Sequence, residues 1–205
     1  MTELFATAFV TLFVIIDPIG IAPIFAALTE KADKAFQRKM AIKGTLIAGI
    51  ILGFFAIAGK PFLAALGISM DALRIAGGLM LLLIALEMVY QKRDERRQQQ
   101  AEALDEVFED ISVFPVAIPL LAGPGAMATV MLLMSEVADS VEEQLVVGGA
   151  LVLVLLINLI TFFFAGRMMR ALGPDVNAVL TRVLGIILAA LAVQFMLDGL
   201  KATFI

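Results

Sequence analysis

Residues 4–28 read LFATAFVTLFVIIDPIGIAPIFAAL. The stretch is apolar almost throughout and longer than the roughly 20 residues a helix needs to cross a bilayer. Asp17, its one ionisable residue, stands near the middle, followed by Pro18-Ile19-Gly20 and then Pro23. Proline deletes a backbone donor and clashes with the preceding turn, while glycine opens left-handed backbone, so a helix breaks at such a place. Broken helices persist at membrane depth only where protein or a cavity satisfies the freed backbone groups. The segment reads as a discontinuous transmembrane helix.

Five further apolar stretches follow, at 40–59, 73–90, 113–134, 145–165 and 181–200. The fourth of the six spans is also interrupted, by Pro115, Pro119 and then Ala122-Gly123-Pro124-Gly125. The whole chain has 205 residues, 61% hydrophobic and 17% charged, with a mean hydropathy of +1.02. Soluble domains run nearer 45–50% apolar and 25% charged, so a soluble globular protein is excluded. Cysteine and histidine are absent, which removes disulfides, thiol nucleophiles, the usual zinc ligands and the commonest general base. A net charge of −4 argues against nucleic acid as a partner. Met1-Thr2-Glu3 lacks the basic start of a signal peptide, so the first span is expected to be a retained helix.

Lysine and arginine set the expected orientation. Lys31, Lys34, Arg38, Lys39, Lys43, Lys92, Arg93, Arg96, Arg97, Arg167, Arg170 and Arg182 fall in or beside the 1–2, 3–4 and 5–6 connections. Lys60, Arg74 and Lys201 fall on the other side. The odd-numbered connections are expected in the cytoplasm and both termini outside. The sequence also repeats. Phe55-Ala56-Ile57-Ala58-Gly59-Lys60 matches Phe162-Phe163-Phe164-Ala165-Gly166-Arg167, Ala65-Leu66-Gly67 matches Ala171-Leu172-Gly173, and Arg74-Ile75-Ala76-Gly77 matches Arg182-Val183-Leu184-Gly185. Pro18 corresponds to Pro124 in the same order. Three spans per repeat force opposite insertion of the halves. The expected fold class is an all-α polytopic membrane protein of six transmembrane helices, arranged as two inverted-topology repeats of three with helices 1 and 4 broken. It forms a single transmembrane domain over 1–205: a first repeat 1–90, a cytoplasmic linker 91–112 and a second repeat 113–205.

Inverted repeats with a broken helix in each half are the architecture of secondary transporters. A half-helix starting at Gly20 or Gly125 would present unpaired N–H groups and the positive end of its dipole to an anionic group. The preceding segments would leave carbonyls for an ammonium group or a coupling cation. Asp17, Pro18, Gly20, Pro23, Gly123, Pro124 and Gly125 therefore form the expected substrate or ion site. Asp17 serves either as a proton or cation group or as an N-cap of the second half-helix. Asn158 and Gln194 are polar at mid-span and join the candidates, with helix-to-helix hydrogen bonding as the structural alternative; Thr129 joins them, with a hydroxyl satisfied by its own helix backbone as the alternative. Arg74 and Arg182 begin spans three and six in equivalent places and read as structural anchors. Gly49 and Gly53 form a GxxxG, suited to a homodimer face or to close packing within the chain.

The sequence resembles the MarC family of bacterial inner-membrane proteins. The resemblance covers essentially the whole chain. It rests on Asp17-Pro18-Ile19-Gly20 with Pro23 and Phe25, on Ala122-Gly123-Pro124-Gly125, on Arg74-Ile75-Ala76-Gly77-Gly78, and on Gln194-Phe195-Met196-Leu197-Asp198-Gly199. At Ile21 the chain departs from the family, which commonly has Asn there, and a polar group beside the expected site is lost. The resemblance implies a six-span protein distantly similar to LysE-type amino-acid exporters, some members looking like transporters of small neutral amino acids such as glycine and alanine. The expected partners are the lipid bilayer, a small neutral amino acid or similar metabolite, and a coupling proton or sodium ion. No cofactor or metal and no enzymatic activity are expected. The alternative is a non-transporting membrane scaffold or lipid-handling protein.

Overall fold

The computed structural model describes residues 1–30, 32–90 and 110–204, apart from the side chains of 169–175, 177 and 203–204. The expected linker lies outside the described residues from 91 to 109, with Lys92, Arg93, Arg96 and Arg97, as do Lys31 and the side chain of Arg170. Among the described residues the elements are all helical: α1 (Thr2–Ile16), α2 (Pro18–Leu28), α3 (Lys34–Ala65), α4 (Met70–Val89), an irregular wound segment α5 (Ser112–Leu121), α6 (Pro124–Glu136) and α7 (Val141–Phe204). Five helical stretches are long and apolar enough to cross a membrane: Thr2–Leu28, Lys34–Ala65, Met70–Val89, Val141–Met168 and Ala178–Ala202. The bent pair α5–α6 makes a sixth if it counts as one span.

The first break is closed by a single residue. Asp17 takes left-handed backbone, φ 55° and ψ 63°, a region Asp tolerates better than most residues. Its N–H donates to the Phe13 carbonyl (2.9 Å) and its carbonyl accepts from Ile21 (3.1 Å). Its Oδ1 accepts from the Gly20 N–H at 3.0 Å, so Asp17 is the C-cap of α1 and the N-cap of α2 together. The half-helix starts at Pro18, two residues before the expected Gly20, because Pro at the first helical position has no donor to lose and its φ already fits. Pro23 lies inside α2 and does not end it.

The second break is spread over ten residues and is not confined to 122–125. Phe114 (φ −128°, ψ 127°) and Ile118 (φ −123°, ψ 127°) are extended inside α5. Each precedes a proline, which disfavours helical backbone at the residue before it, and the Phe114–Pro115 and Ile118–Pro119 peptides are cis. Wide bonds link the turns, from Val116 N–H to the Ile111 carbonyl (3.2 Å) and from Ala122 N–H to the Ala117 carbonyl (2.8 Å). α6 then starts at Pro124, with Gly123 as its N-cap, one residue before the expected Gly125. It leaves α5 at a bend of 57°.

Helix contacts define directions. Gly44 on α3 faces Val116 and Ser112 while Gly59 faces Met131, so α3 runs parallel to α5–α6. Gly77 on α4 faces Leu132 and Ala128 while Leu81 and Ile84 face Gly125, so α4 runs the other way. Along α7, Gly185 meets Met88, Gly78 meets Met196 and Gly199 meets Asp71, placing Ala178–Ala202 antiparallel to α4. Val141–Met168 lies antiparallel to α3: Leu155 touches Gly49, and residues 162–167 border the Lys34 end of α3. The two spans of α7 therefore run in opposite directions. Leu12, Ile16, Phe25, Leu52, Leu81, Leu121, Leu132 and Leu188 are fully buried between the helices. Ile50, Ile57, Ile160 and Ile186 point outward, as a chain solvated by lipid requires.

Candidate functional site

The two breaks meet inside the bundle. Ile15, at the end of α1, lies 4.0 Å from where a Cβ on Gly125 would stand. α1–α2 and α5–α6 approach from opposite ends, α2 finishing beside residues 162–166 and α6 finishing near Arg74 of α4. Both half-helices therefore begin close to one level. A Cβ on Gly20 would collide with the Asp17 carboxylate, its Cγ standing at 2.8 Å, and one on Gly123 would come 2.7 Å from the Pro119 carbonyl oxygen. These two glycines let the chain turn tightly enough to place each helix start there.

Three polar candidates are sealed in this interior. Asp17 is 1% exposed, Thr129 0% and Asn158 0%. The Thr129 hydroxyl and both ends of the Asn158 amide have no hydrogen-bond partner among the described residues. An orphaned buried polar atom costs about 1–3 kcal/mol, and Asn can make up to four bonds. Phe162, one turn beyond Asn158, stacks on Phe25 with ring centroids 4.2 Å apart. The two helices run the same way there, so one turn back along each sets Asn158 level with Ile21, and a further turn reaches Asp17. Ile21 is itself fully buried and has no polar side-chain group to offer at that level.

The remaining candidates lie elsewhere. Gln194 is exposed and donates to Asp198 Oδ1 at 2.9 Å, one turn along its own helix; it is not brought to the breaks. Arg74 bonds Asp71 (3.0 Å) and approaches Glu136 at the end of α6 (3.9 Å), tying α4 to α6. Arg182 is exposed and has no ion pair among the described residues, so the contacts that hold Arg74 are not repeated there. Glu136 escaped the sequence reading, although an acid closing an apolar span opposite Arg74 is a usable signal. Lys43 on α3 pairs with Asp110. That ammonium, then the Ser112 hydroxyl and N–H, hold the Asp110 carboxyl down at about 2 and anchor the start of α5. Among the described residues no group of acids could hold a metal ion.

Comparison with known sequences decides the family. Residues 2–204 match the family described as "MarC family integral membrane protein". The chain belongs to the MarC family. A UPF0056 membrane protein of Archaeoglobus fulgidus is 36% identical, covering 96% of this chain and 92% of that protein. The UPF0056 membrane protein YhcE of Escherichia coli is 33% identical, over 96% and 91%. YvbG of Bacillus subtilis, another UPF0056 membrane protein, is 33% identical over 96% and 93%. No solved structure matches significantly. As a MarC family protein the chain is an integral, multi-pass membrane protein, and the outward-facing apolar belt is its lipid surface.

Proposed function

We propose that this MarC protein is a secondary transporter of a small neutral amino acid or similar metabolite. The observation that carries the reading is the pair of unsatisfied polar side chains, Thr129 and Asn158, buried where two interrupted helices meet. A zwitterion suits them: its carboxylate would take N–H groups at a half-helix start, and its ammonium would take free carbonyls and amide oxygen. Asp17 is the group for a coupling proton or sodium ion, besides its work as a cap. The opposed approach of α1–α2 and α5–α6 supports two inverted repeats that rock about the breaks. On this reading both termini lie outside the cytoplasmic membrane, of bacterial inner-membrane type, and the protein performs no covalent chemistry.

A non-transporting scaffold is the second reading, and one observation favours it: nothing around Asp17, Thr129 or Asn158 is open, all three being at most 1% exposed. The transporter reading takes this as an occluded arrangement. Uptake of labelled glycine and alanine into proteoliposomes, under imposed proton and sodium gradients, separates the two. The transporter reading expects gradient-dependent uptake, reduced at least tenfold by Asn158→Leu and by Asp17→Asn in correctly folded protein. Absence of uptake across a wider panel of small metabolites would leave the scaffold.

A further inference from the structure

We infer that the seam between α3 and the first span of α7 is a binding site for one anionic phospholipid. The inference is independent of the transport reading. An apolar trough of about 850 Å³ runs along this seam. Its walls include Leu46, Ile50, Val152 and Leu156, and a Cβ added at Gly53, Gly148 or Gly149 would meet nothing within 4 Å. The GxxxG of α3 thus opens onto empty space at Gly53, while Gly49 alone touches its neighbour, Leu155. From Ile42 to Ile57 the trough follows α3 for about 22 Å. One leaflet of a ~30 Å hydrocarbon core is about 15 Å deep, so a single acyl chain fits lengthwise.

At the Ile42 end the trough adjoins a second cavity of about 890 Å³, which Ile42 also lines. This one is basic: among the described residues Lys34, Arg38 and Arg167 border it against a single carboxylate, Asp33. Asp33 is already engaged as the N-cap of α3, accepting from the Phe36 N–H at 2.7 Å. None of the three cations is ion-paired among the described residues, and Arg167 stands over the Phe164 ring, 6.0 Å from its centroid. Basic pockets between transmembrane helices bind anionic headgroups.

One phospholipid satisfies both features: phosphate at the cations and acyl chain over the glycines. A second copy of the chain does not. Two copies inserted the same way up would share an axis along the membrane normal and bring both sets of Lys34, Arg38 and Arg167 together, which is repulsive.

Native mass spectrometry of the detergent-purified, delipidated protein tests the site, with dioleoyl phosphatidylglycerol and dioleoyl phosphatidylethanolamine as probes. The expected result is one phosphatidylglycerol retained at least tenfold more tightly than phosphatidylethanolamine. Soluble glycerol 3-phosphate should fail to displace it. The double substitution Arg38→Gln, Arg167→Gln should weaken retention about 25-fold, at roughly fivefold per cation. Gly53→Leu, which fills the trough and leaves the cations, should also release the lipid. Equal retention of the two lipids by the unaltered protein overturns the inference, whatever the variants do. So does displacement by glycerol 3-phosphate, which would show a headgroup site without a chain. Conversion of a dimer to a monomer by Gly53→Leu would show that a second copy fills the trough, and would overturn it as well.

Discussion

Asp17 closes two helix ends with one side chain while its backbone sits at φ 55°. Two separate properties suit it to the place: a short side-chain oxygen that reaches the Gly20 N–H, and tolerance of left-handed backbone. Asparagine shares both and alanine neither. Asp17→Ala is therefore expected to destabilise the protein by about 2 kcal/mol, roughly half from the lost cap and half from the backbone penalty. Asp17→Asn should stay within about 0.5 kcal/mol of the parent. Unfolding in mixed micelles of increasing dodecyl sulfate measures both, and equal losses would mean that the charge, and not the cap, holds the break. The cap was legible in the sequence, because Asp-Pro-x-Gly names an N-cap, a first helical proline and a glycine where the capping carboxylate needs room. The burial of Thr129 and Asn158 was legible only as a probable depth, since a polar residue in an apolar span can face protein or lipid. Gln194 shows the other outcome: it faces outward and bonds to Asp198 along its own helix, the i,i+4 spacing at which such pairs meet.

At the scale of elements, glycine decides how closely helices approach, because lipid supplies no hydrophobic force between them. On the α4–α7 seam a Cβ at Gly78 would stand 2.7 Å from the Ala192 carbonyl oxygen, and one at Gly199 2.9 Å from that of Asp71. Backbone cannot give way as a side chain can, so Gly78→Ala should cost about 1–3 kcal/mol. Gly53→Ala, with open space around it, should be neutral or stabilising by up to about 1 kcal/mol through helix propensity. The same unfolding measurement compares them. If Gly78→Ala proves as harmless as Gly53→Ala, the α4–α7 contact does not depend on the missing side chain. The spans themselves were legible from apolar length, and the breaks from Pro and Gly. The shape of the second break was not. Its prolines were visible, but the wide turns and extended residues of α5 arise because Phe114 and Ile118 must leave helical backbone while neighbouring α3 packs against the segment.

At the scale of the whole molecule, a chain without cysteine makes its orientation directly measurable. Thr2 and Ala202 are exposed near the two ends, and Lys39 is exposed at the basic end of α3. A membrane-impermeant maleimide applied to intact cells should label Thr2→Cys and Ala202→Cys, and should label Lys39→Cys only after permeabilisation. The reverse pattern would overturn the orientation read from Lys and Arg. Sequence alone determined the solvent of this protein, the approximate places of its apolar spans and the prolines and glycines that interrupt two of them. Each of these follows from local chemistry: apolar length, a missing backbone donor, a glycine, a charge. Tertiary structure alone decided that the two breaks meet, that Thr129 and Asn158 are buried without partners among the described residues while Gln194 faces outward, and that α3 and α7 leave a glycine-floored trough ending in three cations. Those features depend on which helices touch and in what register. Along an apolar helix the periodicity does not distinguish lipid from protein as a neighbour, so the sequence leaves that choice to packing.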